Sequence, residues 1–331
     1  MNLLELTKKF VNIPSVTNSE AEIADFLSAY LRGQKFEVRE QDIDGRRRNI
    51  LALLGPNPRV MFCTHMDTVP PFFEAREDES HIFGRGACDA KGIMASMIWA
   101  GQELRKEKQT EMGLLFVVGE ETDSIGAKKA NDLNIDSEFI IIGEPTENKM
   151  GLGHKGQVTL KMTAAGKSAH SAYPSLGESA IEKLIDALQE IRFLDFGEDP
   201  TWGKTLVNIG KIEGGVAHNV IPDSASATVS LRSGQASDQI IDRIMSLVGQ
   251  KVKIEVLGRA EAQVLFTLPG FEQVVLPYGT DIPYLQSFGK KLLLGPGSAV
   301  VAHTEKEKVE KQQLFEAVKI YKKMAKGLLA L

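Results

Sequence analysis

Four apolar runs in this chain each give out at, or just before, an acidic or imidazole side chain. VMFCT leads to His65, LLFVVG to Glu120 and Glu121, FIIIG to Glu144, and LLL passes through a Gly-Pro-Gly loop to His303. Asp89 stands at the mouth of a helix-like stretch that begins AKGIMASMI. Short apolar runs bounded by turn residues read as buried strands, and an open α/β sheet binds its ligands at the carboxyl ends of such strands. Residues placed this way converge on one crevice. Two imidazoles and several carboxylates there make a metal site, and their number suits two ions.

The rest of the chain supports a sheet of that kind. Ser19 and Glu22 have capping-box spacing, followed by Ile23, Phe26, Leu27, Tyr30 and Leu31 at helical spacing. Helix and strand alternate to about Glu144, which predicts an α/β fold: a doubly wound mixed sheet flanked by helices. From about Lys155 the grammar changes. QVTLKMTAAG, LVNIGKIEGG, SASATVSLRSG and KVKIEVLG alternate apolar with polar residues, with helical stretches at 179–191 and 238–247. The order β-α-β-β-α-β is that of an α+β ferredoxin-like unit. Apolar grammar returns after Leu257 and contains His303. The expected organisation is a discontinuous catalytic domain, 1–154 and 258–331, interrupted by an inserted domain, 155–257.

At 331 residues, with 43% hydrophobic and 25% charged, the chain has the composition of a soluble globular protein. Its net charge of -5 argues against nucleic acid or an anionic membrane as a partner. No apolar stretch approaches the ~18 residues of a membrane span. Cys63 and Cys88 have neither metal-finger nor redox spacing, so both read as reduced thiols of a cytoplasmic protein.

Taken singly, the site residues have ordinary alternatives. In an extended loop, positions 65 and 67 share a side, so Asp67 could accept a hydrogen bond from the His65 ring and fix its tautomer; a core histidine paired with aspartate would look the same. Asp89 could bridge two cations or simply cap a helix. Glu120 and Glu121 would repel each other at a buried strand end unless a cation neutralised them; a solvated loop pair is the alternative. Ser171, beside His170, lacks a nucleophile-elbow setting, and GRGACDAKG lacks the spacing of a phosphate loop.

Together with HMDTVP, GRGACDAKG, GEETDSIGA, GEPT, HSAYPSLGESAI, NVIPDSASATVSLR, YGTD and GPGSAVVAHT, in that order, these residues resemble the dinuclear zinc aminoacylase/carboxypeptidase family. That family includes acetylornithine deacetylase, succinyl-diaminopimelate desuccinylase and related exopeptidases. The resemblance covers nearly the whole chain. It implies a zinc-peptidase-like catalytic domain with an inserted lid that often also mediates dimerisation, here a possible homodimer. It implies two zinc ions, with cobalt or manganese as alternatives. Asp89 would bridge them, His65 and Glu144 completing one site, Glu121 and His303 the other. Glu120 would be the general acid/base and Asp67 the partner of His65. His170 would stabilise the oxyanion in a neighbouring subunit, Arg232 would bind the substrate carboxylate, and Asn219 and Thr280 would contact substrate. A cis peptide is implied at Asp89-Ala90. The expected activity is removal of a small acyl group from an N-acyl amino acid, acetylornithine or acetyl-lysine first. The alternatives are succinyl-diaminopimelate, an exopeptidase on short peptides, or, in a different class, an inactive binding relative.

Overall fold

A computed structural model describes residues 1–331, which divide into two compact units. The first comprises residues 1–152, 265–274 and 280–331; the second comprises 153–264 and 275–279.

In the first unit, α1 (Leu3–Val11) opens on a capping box in which Asn2 and Glu5 each accept the other's backbone N–H. Leu3, Leu6, Phe10 and Val11 enter the core. The box expected at Ser19 does not form. α2 (Ala21–Gly33) is preceded by Glu20 in the cap position, without a side-chain cap bond. The Glu20 side chain is wholly buried, and Ser19 falls one residue too early to reach the first-turn amides.

The sheet contains β1 (Glu37–Asp42), β2 (Arg48–Leu53), β3 (Val60–His65), β4 (Met112–Val117), β5 (Phe139–Ile142) and the strand Lys290–Leu293. Its six strands lie in the order β1-β2-β4-β3-β5-(290–293). The last four in that order run parallel, while β1 and β2 are antiparallel to their neighbours. β3, β4 and β5 are buried at every position, which explains their unbroken apolar runs. α3 (Lys91–Lys106) packs against α1 and the last helix, Lys311–Leu329. It is buried around most of its circumference, hence Gly92, Ala95, Ser96, Ala100 and Gly101. A Cβ at Gly143 would stand 2.4 Å from Ile93 Cγ2, so only glycine lets α3 close against the end of β5, just before Glu144. α4 (Ile125–Ala130) follows the loop that carries Glu120 and Glu121.

In the second unit, β6 (Gly156–Ala165), β7 (Leu206–Gly214), β8 (Ser224–Ser233) and β9 (Lys253–Ala260) form an antiparallel sheet in the order β7-β8-β6-β9. α5 (Ala180–Phe193) follows β6 and α6 (Ser237–Val248) follows β8. This is the β-α-β-β-α-β order of a ferredoxin-like unit. Ala225, Ala227, Val229 and Leu231 of β8 join α5 and α6 in a separate core. The alternate residues Ser226, Thr228, Ser230 and Arg232 are only half-buried on the other face. β7 is one of the two sheet edges, with Leu206 and Ile212 exposed. No helix is long and apolar enough to cross a membrane.

Candidate metal centre

His65 is the final residue of β3, Glu120 and Glu121 follow β4, Glu144 follows β5, and Asp89 immediately precedes the cap of α3. His65 Nε2 lies 3.0 Å from Asp89 Oδ1, and His303 Nε2 lies 3.3 Å from Asp89 Oδ2. His303 Nε2 is also 3.0 Å from Glu121 Oε2. One carboxylate thus turns a different oxygen to each imidazole. Ligand atoms of His65, Asp89 and Glu121 all fall within 4.8 Å of one another. The Asp89–Ala90 peptide is cis.

These separations can be tested against a cation. Two ligands about 2.1 Å from one tetrahedral ion stand roughly 3.4 Å apart, close to the spacings seen. The electrostatics agree. Burial pushes Glu144 well above the usual carboxylate range, and the charge of Glu120 pushes it further. Burial raises Glu120 as well; His65 opposes that shift, while Asp281, Glu121 and Asp89 reinforce it. Burial disfavours the charged form of His65, yet hydrogen bonds to Asp67 and Asp89 carry it well above its usual range. His303 is pushed up to about 10 by its hydrogen bonds to Asp89 and Glu121. For Asp89, burial acts upward but the two imidazoles prevail and hold it low. Protons are the only neutralising charge these groups have of their own. Divalent ions would supply that charge instead, to neutral imidazoles and ionised carboxylates. The donor set therefore fits a metal centre.

Backbone geometry presents the ligands. Gly119 has φ +77°, turning the chain out of β4 just before Glu120. His303 itself has φ +61°, a left-handed conformation that costs a non-glycine residue energy and is often found at functional sites. Asp67 secures the glutamate loop. Its Oδ1 accepts the Glu120 N–H at 3.1 Å, and its Oδ2 accepts the Glu121 N–H at 3.1 Å and the Thr17 hydroxyl at 2.8 Å. The expected carboxylate contact to His65 is correspondingly long. The main-chain carbonyl of Asp67 lies 3.0 Å from His65 Nδ1, whereas Oδ1 is 3.5 Å away, because that carboxylate is already engaged by two amides.

Thr280 is buried and its hydroxyl accepts the Ile282 N–H at 3.2 Å. His170, Asn219 and Arg232 belong to the second unit. There the strands Ala169–His170 and Val220–Ile221 pair, and the Ser171 N–H donates to the Asn219 carbonyl at 3.0 Å, so His170 and Asn219 are neighbours. His170 Nδ1 accepts the Ala172 N–H at 3.1 Å; a neutral ring then carries its proton on Nε2, as a donor. Arg232 lies under Gly279, where a Cβ would stand 3.2 Å from Nη1.

Sequence reasoning passed over several buried charged residues of the first unit, four of which bear on the site or on stability. Asp281 is pushed up to about 7, mainly by burial. Arg85 and Glu307 form an ion pair of 2.6 Å, each side chain 1% exposed. Glu20 completes the set. Arg85 stands within GRGACD, Glu307 shortly after His303, and Asp281 closes YGTD, so adjacency to a motif was a signal; Glu20 carries none.

Residues 152–255 match the model of the peptidase dimerisation domain of M20 proteins. Over 98% of its length the chain is 41% identical to a peptidase M20 domain-containing protein of Schizosaccharomyces pombe, covering 84% of that protein. The chain belongs to the M20 peptidase family. The M20 chain is accordingly a hydrolase of the metallopeptidase class. It is also 37% identical to a protein named "Probable carboxypeptidase" from Aspergillus clavatus, over 97% of this chain and 87% of that one. Among solved structures, a tripeptidase from Staphylococcus aureus superposes with a TM-score of 0.82 at 22% identity, covering 98% of each chain. A dinuclear metal binding peptidase of the M20 family from Bacillus subtilis gives 0.73 at 15% identity, covering 99% of this chain and 98% of that one. These two likenesses establish the fold.

Proposed function

We propose that this M20 chain is a dinuclear-metal exopeptidase of the carboxypeptidase kind, cleaving the last linear amide of short peptides beside a free carboxylate. The observation that carries the metal reading is the division of Asp89, Oδ1 toward His65 and Oδ2 toward His303. In this proposal Asp89 would be shared between two divalent ions, preferably zinc. His65 with Glu144 would help hold one ion, and Glu121 with His303 the other. Bound divalent ions would acidify a shared water and polarise the scissile carbonyl.

The chain's own groups supply the remainder. Glu120 takes the proton of the attacking water and returns it to the departing amine. A carboxylate whose burial and acidic neighbours raise its proton affinity suits that exchange. Asp67, by receiving the amides of both Glu120 and Glu121, holds base and ligand in register. His170, with Nδ1 occupied by Ala172, would present an Nε2–H donor to the developing oxyanion in a neighbouring subunit. Arg232, with Asn219 and Thr280, would receive the substrate's carboxylate end. The inserted domain would act as a lid and, through the exposed edge of β7, as a homodimer interface. A cytoplasmic setting belongs to the same proposal, supported by two buried, unpaired cysteines.

The carboxypeptidase names of relatives 34–37% identical favour a peptide substrate. Deacylation of an N-acyl amino acid such as acetylornithine, acetyl-lysine or succinyl-diaminopimelate breaks the same kind of bond beside the same carboxylate. A substrate panel separates them: di- and tripeptides, N-acetyl- and N-succinyl-amino acids, and C-terminally amidated copies, with zinc or cobalt. Release of the last residue from free-carboxylate peptides, abolished by amidation, is the expected result. Preference for acyl amino acids would transfer the assignment to a deacylase. Turnover of none by the metal-loaded protein would defeat both.

A further inference from the structure

We infer that Glu307, clamped by Arg85, is the positioning residue that sets Asp89 and the His303 loop at their working separation. The inference rests on the metal-centre reading of Asp89 and His303. Glu307 Oε1 accepts the backbone N–H of Asp89 at 3.2 Å and that of Cys88 at 3.3 Å. Its Oε2 receives Arg85 Nη1 at 2.6 Å. Arg85 Nη1 also reaches the carbonyl of Thr304, next to His303, at 3.4 Å, and its Nε donates to the Pro71 carbonyl at 3.2 Å. The guanidinium lies 4.9 Å over the Phe73 ring.

The main chain of Asp89 and the main chain beside His303 are thus tied to the two halves of one buried ion pair. A buried pair of this kind is weak evidence for stability, since a well-packed apolar pair often does as well. Glu307 is also an expensive choice here. Burial raises its proton affinity, and the charge of Asp89 raises it further. A carboxylate beside the bridging carboxylate makes sense if both its oxygens are needed as acceptors, one for the turn that carries Asp89 and one for the guanidinium that holds the His303 loop. A glutamine would keep one of those and present an N–H₂ to the other.

The test uses the full-length protein and three variants: Glu307→Gln, Arg85→Lys, and the double substitution Arg85→Met with Glu307→Leu. The double variant removes both charges, so it should keep the fold even if the single ones do not. Each is stripped with chelator and titrated with zinc against a competing indicator, and the cobalt-loaded forms are examined by visible absorption. Groups that orient metal ligands typically contribute 10–100-fold to affinity. The expected result is a zinc affinity about 10–100-fold weaker in Glu307→Gln and in the folded double variant, with a shifted cobalt spectrum. Arg85→Lys, which keeps a cation on Oε2, should lose less. A folded double variant that binds two ions as tightly as the parent, with the same cobalt spectrum, overturns the inference and leaves the pair a structural element. A parent protein that binds no metal overturns the centre itself, a separate failure seen before any variant is made.

Discussion

Replacing Glu20 by glutamine should make the first unit more stable at alkaline pH and slightly less stable in acid. The Glu20 side chain is fully buried, neither oxygen has a close hydrogen-bond partner, and Arg47 Nη1 is 3.9 Å away. Burial, followed by the charge of Asp67, pushes its carboxyl up to about 7; main-chain dipoles at Glu20 and Asn18 and the Arg47 guanidinium oppose this too weakly. An unfolded chain releases the same proton near pH 4.5. Between those values the unfolded state binds fewer protons than the folded one, so stability falls as pH rises through the window and levels off above it. At about 1.4 kcal/mol per pH unit, the gap amounts to roughly 3 kcal/mol. Glu20→Gln abolishes that slope and should gain up to about 3 kcal/mol at pH 8, less about 1 kcal/mol for amide groups that find no partner. The chain has two tryptophans, and Trp99 lies in α3. A Trp202→Phe background therefore makes fluorescence a report on the first unit. Urea unfolding of chelator-treated proteins at pH 5, 6, 7 and 8 gives the difference curve, in which other titrating groups cancel. Parallel curves, or a glutamine variant that is the weaker protein at pH 8, would show that Glu20 is not held protonated.

Three further outcomes follow from the site and the lid. Glu120→Gln should lower kcat by about 10²–10⁴ while metal analysis still finds the parent's metal content, because the group that carries the proton is lost but no ligand is. Asp67→Ala strips the acceptor from the Glu120 and Glu121 amides and the Thr17 hydroxyl; with about 1–3 kcal/mol for each buried group left unmet, thermal unfolding should shift down markedly and turnover should fall with it. Ile212→Asp on the exposed edge β7 should leave the fold intact yet yield monomers in sedimentation if that edge joins two copies; an unchanged sedimentation coefficient would remove the edge from the interface.

The parallel strands were readable because burial on both faces leaves a run of apolar residues with no period, and VMFCT, LLFVVG and FIIIG have that form. The inserted unit was readable for the opposite reason: Ala225, Ala227, Val229 and Leu231 face a core while Ser226, Thr228 and Ser230 do not. The helix start at residue 21 was misjudged because spacing alone cannot tell that position 20 is drawn inward. The meeting of His65 and Glu121 followed from strand ends, which topology aligns, whereas Asp89 arrives from the turn before α3 and His303 from a loop. What supports them did not. Asp67 grips the glutamate loop more closely than it grips His65, and Arg85 pairs with Glu307 across 222 positions of sequence. Such contacts depend on the path of loops, and no periodicity encodes that path.

The proposed ligand set would couple metal binding to the folding of one unit only. The proposed ligands come from the ends of β3, β4 and β5, from the bend before α3 and from the loop of His303, all within the first unit. Without an ion, Glu120 and Glu144 repel each other in a buried setting, and His65 stays charged only by leaning on Asp67 and Asp89. A ligand that binds only the folded state adds RT ln(1 + [L]/Kd), about 4 kcal/mol at a thousandfold excess over Kd. Chelation should therefore lower the urea midpoint reported by Trp99 in the Trp202→Phe protein, and zinc or cobalt should restore it. The reciprocal protein, with Trp99→Phe, reports on the second unit, which supplies no proposed ligand. Its own metal response would measure how far that unit depends on the first. A Trp99 midpoint indifferent to chelator would mean that the clustered carboxylates and imidazoles are stable on protons alone and that their electrostatics call for no metal.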